Sequence, residues 1–189
     1  MTNKFKNQAG FTLVEMLIAI SLFVVVTTIS LGAILSIFDA NRKAQSSKTV
    51  VDNLNLAIEN MARIVRFGNN YHCANLNLPL SNPRNCNTGS DTDTLLAVNF
   101  GGSTIVYRWN GTINDPIQRS DDGGVNFTDI TAPEAKIEYL RFYVFGADPN
   151  PDTKQPYVVV VIKGYVGNKP TTQTVFSIET LMSQRTLDI

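Results

Sequence analysis

The chain has 189 residues, 43% of them hydrophobic and 17% charged, with 16 basic side chains matched by 16 acidic ones. That balance argues against a globally basic nucleic-acid-binding protein. Two cysteines and one histidine leave a structural zinc site short of a ligand. Much of the apolar content lies in the first 38 positions, which leaves room for one modest globular domain.

Residues 1–10 form a short polar leader that carries Lys4 and Lys6 and ends at Gly10. From Phe11 to Phe38 the single charged residue is Glu15. A helix over this run is long enough to cross a hydrocarbon layer of roughly 30 Å at about 1.5 Å per residue. A carboxylate near the start of such a segment is costly wherever it meets lipid, so Glu15 needs a partner or an interfacial position. The lysines ahead of it predict a cytoplasmic leader, with the bulk of the chain on the other side of the membrane. Removing Lys4 and Lys6 with the leader would leave the remainder two charges to the acidic side. Gly32 is expected to bend or locally melt the helix, at about 1 kcal/mol relative to alanine. An ordinary secretory signal cleaved near Ser30-Leu31-Gly32 fits less well, because the run is long, holds an acid and passes directly into more helix. A plain membrane anchor leaves unexplained why the sole charge sits five residues after a glycine.

Residues 39–68 read as an amphipathic continuation of the helix. No proline interrupts them, and Val50, Leu54, Ile58, Met61 and Val65 recur at helical spacing, while Lys48, Asp52, Glu59, Arg63 and Arg66 fall opposite. Gly68-Asn69-Asn70 supplies the stop. A helix from Phe11 to Phe67 would be roughly 85 Å long.

Residues 69–189 read as a β-rich head that opens with a cysteine loop. Outside the cytoplasm Cys73 and Cys86 are expected to form a disulfide, which contributes on the order of 3 kcal/mol for a loop of this length. His72 beside Cys73 invites a metal or nucleophile reading, yet adjacent residues rarely point at one target. Thr94 to Phe100 and Thr104 to Trp109 predict a hairpin across Gly101-Gly102-Ser103. A second hairpin is predicted from Ile117–Ser120 and Val125–Thr128 around Asp121-Asp122-Gly123-Gly124. Ile137 to Phe145 is the strongest strand, and Tyr157–Val166 is expected to pair with Thr174–Leu181 across Gly167–Pro170. Residues 148–152 form a loop. The fold class is therefore α+β: a long N-terminal helix, transmembrane then amphipathic, packed on a mainly antiparallel sheet of about six strands. Asp91, Asp93, Asp121 and Asp122 could ligate calcium, but they lack the spacing of a calcium loop and read better as solvated turn acids. No nucleotide, zinc or hydrolase motif is present, so neither a cofactor nor an enzyme is expected.

The leader ending in Gly10, followed by Phe11-Thr12-Leu13-Val14-Glu15 and an apolar helix, resembles the type IV prepilin signal of pilins and pseudopilins. The resemblance implies cleavage between Gly10 and Phe11 by a prepilin peptidase and N-methylation of Phe11. It also implies pairing of Glu15 with the terminal amine of a neighbouring subunit. Implied partners are other pilin or pseudopilin subunits, the peptidase and an inner-membrane assembly platform, in a single-pass bacterial inner-membrane precursor that later enters a periplasmic or surface filament. The long helix closing at Met61–Arg66, the cysteine loop and the strands that follow also resemble larger minor pilins and J-type pseudopilins. The expected function is that of a minor filament subunit. Alternatives are a secretion or DNA-uptake pseudopilin and a tip adhesin, with nucleic acid as a partner left without support. For a tip binding module the compact candidates are Tyr107, Arg108 and Trp109, which read better as strand packing.

Overall fold

A computed structural model describes residues 10–73, 82–86, 93–148, 154–167 and 173–185. Lys4, Lys6, Asp91, the turn residues 168–170 and most of the expected 148–152 loop lie outside them. The chain divides into two compact units, residues 1–44 and 45–189.

Helix α1 covers Leu13–Phe67. In the first unit it passes through Gly32 without a break, so the expected local melting does not occur there. Nothing lies within 4 Å of the position a Gly32 Cβ would take. In the second unit the predicted stripe of Val50, Leu54, Ile58, Met61 and Val65 is buried, joined by Ala57, Ala62 and Ile64. Lys48, Asp52, Glu59, Arg63 and Arg66 are exposed, as a 3.6-residue period requires of the opposite face.

Among the described residues eight strands follow, in two antiparallel sheets where the sequence suggests one. The first sheet has the order β1-β2-β3-β4-β5, built from Asn69–Cys73, Leu95–Phe100, Ser103–Arg108, Gln118–Ser120 and Thr128–Asp129. The second has the order β6-β7-β8, from Ala135–Phe145, Tyr157–Val166 and Thr174–Ser183. Strand β1 has no counterpart in the sequence-based expectation, which makes its residues the end of the helix and the start of a loop. The β2–β3 hairpin closes with Phe100 opposite Ser103, across Gly101 and Gly102 at φ 62° and 84°. Two consecutive left-handed residues give the turn whose twist suits a two-residue hairpin, which is why glycines occupy it. The second predicted hairpin differs. Gln118 and Arg119 pair with Asp129 and Thr128, so Val125–Phe127 belong to a longer loop and not to a strand.

One main core joins the buried helical stripe to residues from both sheets, including Leu96, Val98, Tyr107, Phe142, Val160 and Met182. On its other face β2 meets β3 in a small cluster of Leu95, Ala97 and Val106, covered by Phe127. The helix C-terminus is held by neighbours. The Tyr71 hydroxyl lies 2.7 Å from the Val65 carbonyl and 2.9 Å from that of Gly68, and the Arg185 N–H donates to the Arg66 carbonyl at 2.8 Å. Last-turn carbonyls without helical partners are thus satisfied by tertiary contacts.

Candidate functional site

Gly10, Phe11 and Thr12 precede the helix, and Phe11 is 78% exposed. The helix starts where it does because Thr12 caps it. Its Oγ1 accepts from the Glu15 backbone N–H at 3.2 Å, and its carbonyl accepts from the Met16 N–H at 3.2 Å. A threonine followed three residues later by glutamate is the pattern of a capping box, and an acid in the first turn suits the positive end of the helix dipole. This local role for the Thr12–Glu15 pair is missed by a reading of Glu15 as an isolated charge, although the Thr-x-x-Glu spacing is visible in the sequence.

From Met16 to Phe38 the helix carries no charged side chain and presents an almost wholly apolar surface, with Asp39, Arg42 and Lys43 following it. The helix has a window of mean hydropathy 2.5, none of it buried. Ser21, Thr27, Thr28 and Ser30 each donate a side-chain hydrogen bond to a carbonyl three or four residues earlier, at 2.6 to 2.8 Å. Their hydroxyls are thereby satisfied inside the helix and do not resist an apolar surrounding. Such a surface is long and apolar enough to cross a membrane, and it equally suits packing against other helices.

The other singled-out residues have structural positions. Cys73 and Cys86 are bonded, with Cα atoms 6.1 Å apart, so neither is a free nucleophile or metal ligand. His72 is buried with Nδ1 2.9 Å from the Asn82 carbonyl, and since a carbonyl only accepts, Nδ1 carries the proton. Tyr107 and Trp109 are buried in the core, and Arg108 lies over the Phe127 ring at 3.5 Å, so these three do not form a solvent-facing cluster. Burial pushes the Tyr107 phenol up to about 12, partly offset by Arg119. Asp93 is buried, contrary to its reading as a solvated acid, while Asp121 pairs with Arg119. Asp122 accepts from Ser120 Oγ at 2.6 Å and from the Val125 and Asn126 N–H groups and the Asn126 amide, which holds its carboxyl well below the usual range. These bonds organise a turn. Among the described residues no group of three His, Cys, Asp or Glu side chains could hold a metal.

The fold and this N-terminus define an α+β protein whose apolar helix, capped by Thr12, carries an acid in its first turn five residues after a glycine. Residues 5–31 match the model of the prokaryotic N-terminal methylation motif, and the chain is type IV prepilin-like. Comparison with curated proteins and with solved structures found no match.

Proposed function

We propose that this chain is a subunit of a type IV pilus or pseudopilus, present as a minor component. It is cleaved between Gly10 and Phe11, N-methylated on Phe11, and assembled through its N-terminal helix. The observation that carries the reading is the joining of a prepilin-type methylation motif to a helix whose apolar surface is left uncovered. In the membrane that surface is solvated by lipid; in a filament it packs against copies of itself or of sister helices. The same segment therefore serves first as anchor and later as filament core, with the assembly platform moving it between the two. Glu15 then meets the Phe11 amine of a neighbour, because two opposite charges buried together cost far less than either alone. The protein is structural and not catalytic in this reading.

Intact mass and N-terminal sequencing of the membrane-extracted protein test it. A mature chain starting at methylated Phe11 is expected, and Gly10 replaced by a bulky residue should leave the full-length precursor. A terminus near Ala33 would instead indicate a secretory signal and overturn the reading.

A further inference from the structure

The two edges of the β6-β7-β8 sheet are treated differently. Along β6, Cys86 and Val144 exchange backbone hydrogen bonds at 2.9 Å, and the Phe142 N–H donates to the Asp93 carbonyl at 2.9 Å. That edge is occupied. Along β8, every residue from Thr174 to Ser183 is in register with β7, and among the described residues no backbone bond reaches the outer side of this span. In an antiparallel pair alternate residues direct N–H and C=O to the partner, so the others face outward as an open row.

Apart from Glu179, the usual guards of an exposed edge are missing. The strand Thr-Val-Phe-Ser-Ile-Glu-Thr-Leu-Met-Ser is ten residues long, contains no proline, lysine or arginine, and pairs with β7 without a bulge. Its side chains are also incompletely covered. Val175 and Leu181 are 73% and 61% exposed on one face, while Phe176 and Ile178 on the other are only partly buried at the margin of the core. A further strand beside β8 would complete the burial of Phe176 and Ile178. It would also meet the one charge of the strand, Glu179.

We propose that β8 is a strand-addition site that receives an extended segment of a sister subunit in the same filament. That segment is apolar where it flanks Phe176, Ile178 and Leu181 and carries a basic residue opposite Glu179. The inference rests on the filament reading above. Main-chain bonds to the open row supply the attachment, and the cross-strand side-chain pairs select the partner.

Amide hydrogen exchange on the full chain, in detergent micelles and in isolated filaments, tests the site. Alternate amides of residues 174–183 should exchange readily in micelles and at least about tenfold more slowly in filaments. A variant with Val175→Lys and Leu181→Lys, both at exposed positions, should melt like the wild type in micelles yet lose that slowing and enter filaments about tenfold less. Wild-type chain present in filaments with unchanged β8 exchange overturns strand addition alone. Absence of the chain from filaments overturns the filament reading and this site with it. Slowing that appears in micelles as concentration rises assigns the edge to a second copy of this chain, and overturns the proposal for a sister subunit.

Discussion

Cys86 and Val144 exchange two backbone hydrogen bonds at 2.9 Å while the Cys86 side chain is bonded to Cys73 in β1. One residue thereby links the edge of the first sheet to the edge of the second. The short segment around it is held from both sides. The Arg84 N–H donates to the Tyr71 carbonyl of β1, and Asn85 accepts from the Ala147 N–H at 2.8 Å and donates to the Asp148 carboxylate. The disulfide fixes the seam between the sheets as well as closing a loop.

Replacing Cys73 and Cys86 together by alanine is therefore expected to lower stability by about 2–4 kcal/mol, the usual effect of losing a disulfide. Hydrogen exchange should show the loss concentrated in β1 and along β6 near Val144, with helix residues 13–38 unaffected. Two free thiols in non-reducing peptide mapping of the native protein would show that the bond is not formed.

Gly164 in β7 gives a second test of the packing. A Cβ there would overlap the Lys136 carbonyl oxygen and come within 2.8 Å of the Phe176 ring. Backbone cannot yield as a flexible side chain does, so Gly164→Ala should destabilise residues 45–189 by about 1–3 kcal/mol. Gly32→Ala, with nothing within 4 Å, should be neutral or should favour the helix by up to about 1 kcal/mol. Denaturant midpoints for the first and helicity of the membrane segment for the second provide the measurements, and equal effects at the two sites would contradict this packing.

The turn organised by Asp122 should depend on pH with a definite sign. Its folded value is depressed by the Ser120 hydroxyl first and by Asn126 next. The order it provides is present above the unfolded carboxylate value of about 3.9 and is lost as pH falls through the lower folded value. The Val125 and Asn126 amides should accordingly stay protected near pH 4 and open only in stronger acid. In Asp122→Ala they should exchange freely at every pH, while the melting temperature changes little because the loop is exposed.

Glu15→Gln separates a boundary charge from an assembly charge. The cap on Thr12 uses the Glu15 backbone N–H, so the substitution keeps the start of the helix intact. If the carboxylate only marked the membrane edge, the neutral amide would lower the insertion cost and change little else. If it pairs with the amine of a neighbouring Phe11, that amine is left uncompensated in an apolar core, at a cost of roughly 3–5 kcal/mol. The expected outcome is normal processing, normal membrane retention and poor entry into filaments. Fractionation showing wild-type entry would remove the pairing role. Thr12→Ala is the companion variant, expected to fray the first turn by about 1 kcal/mol.

The sequence by itself determined the long helix, its buried stripe and the N-terminal motif. These are local properties: an apolar run, a 3.6-residue period, and a fixed spacing of Gly10, Phe11 and Glu15 can each be read from neighbours in the chain. The cap by Thr12 is equally local, since the Thr-x-x-Glu spacing marks it, and it engages the N–H of Glu15 rather than its carboxylate. Strong strands such as β6 and β7 were legible for the same reason, since alternating Val, Tyr and Phe leave few alternatives. Only the tertiary structure decided that Asn69–Cys73 is a strand, because Asn-Asn-Tyr-His-Cys has no strand pattern of its own and takes its partners from β2, some 25 residues away. It likewise moved Val125–Phe127 out of a strand, since the Val125 and Asn126 N–H groups donate to the Asp122 carboxylate within the loop and Arg119 pairs with Thr128. The division into two sheets, with one edge closed by Cys86 and the other, at β8, without an outer backbone partner among the described residues, depends on contacts between distant segments. No periodicity records them, because the energy of an edge lies in what is brought beside it and not in the strand itself.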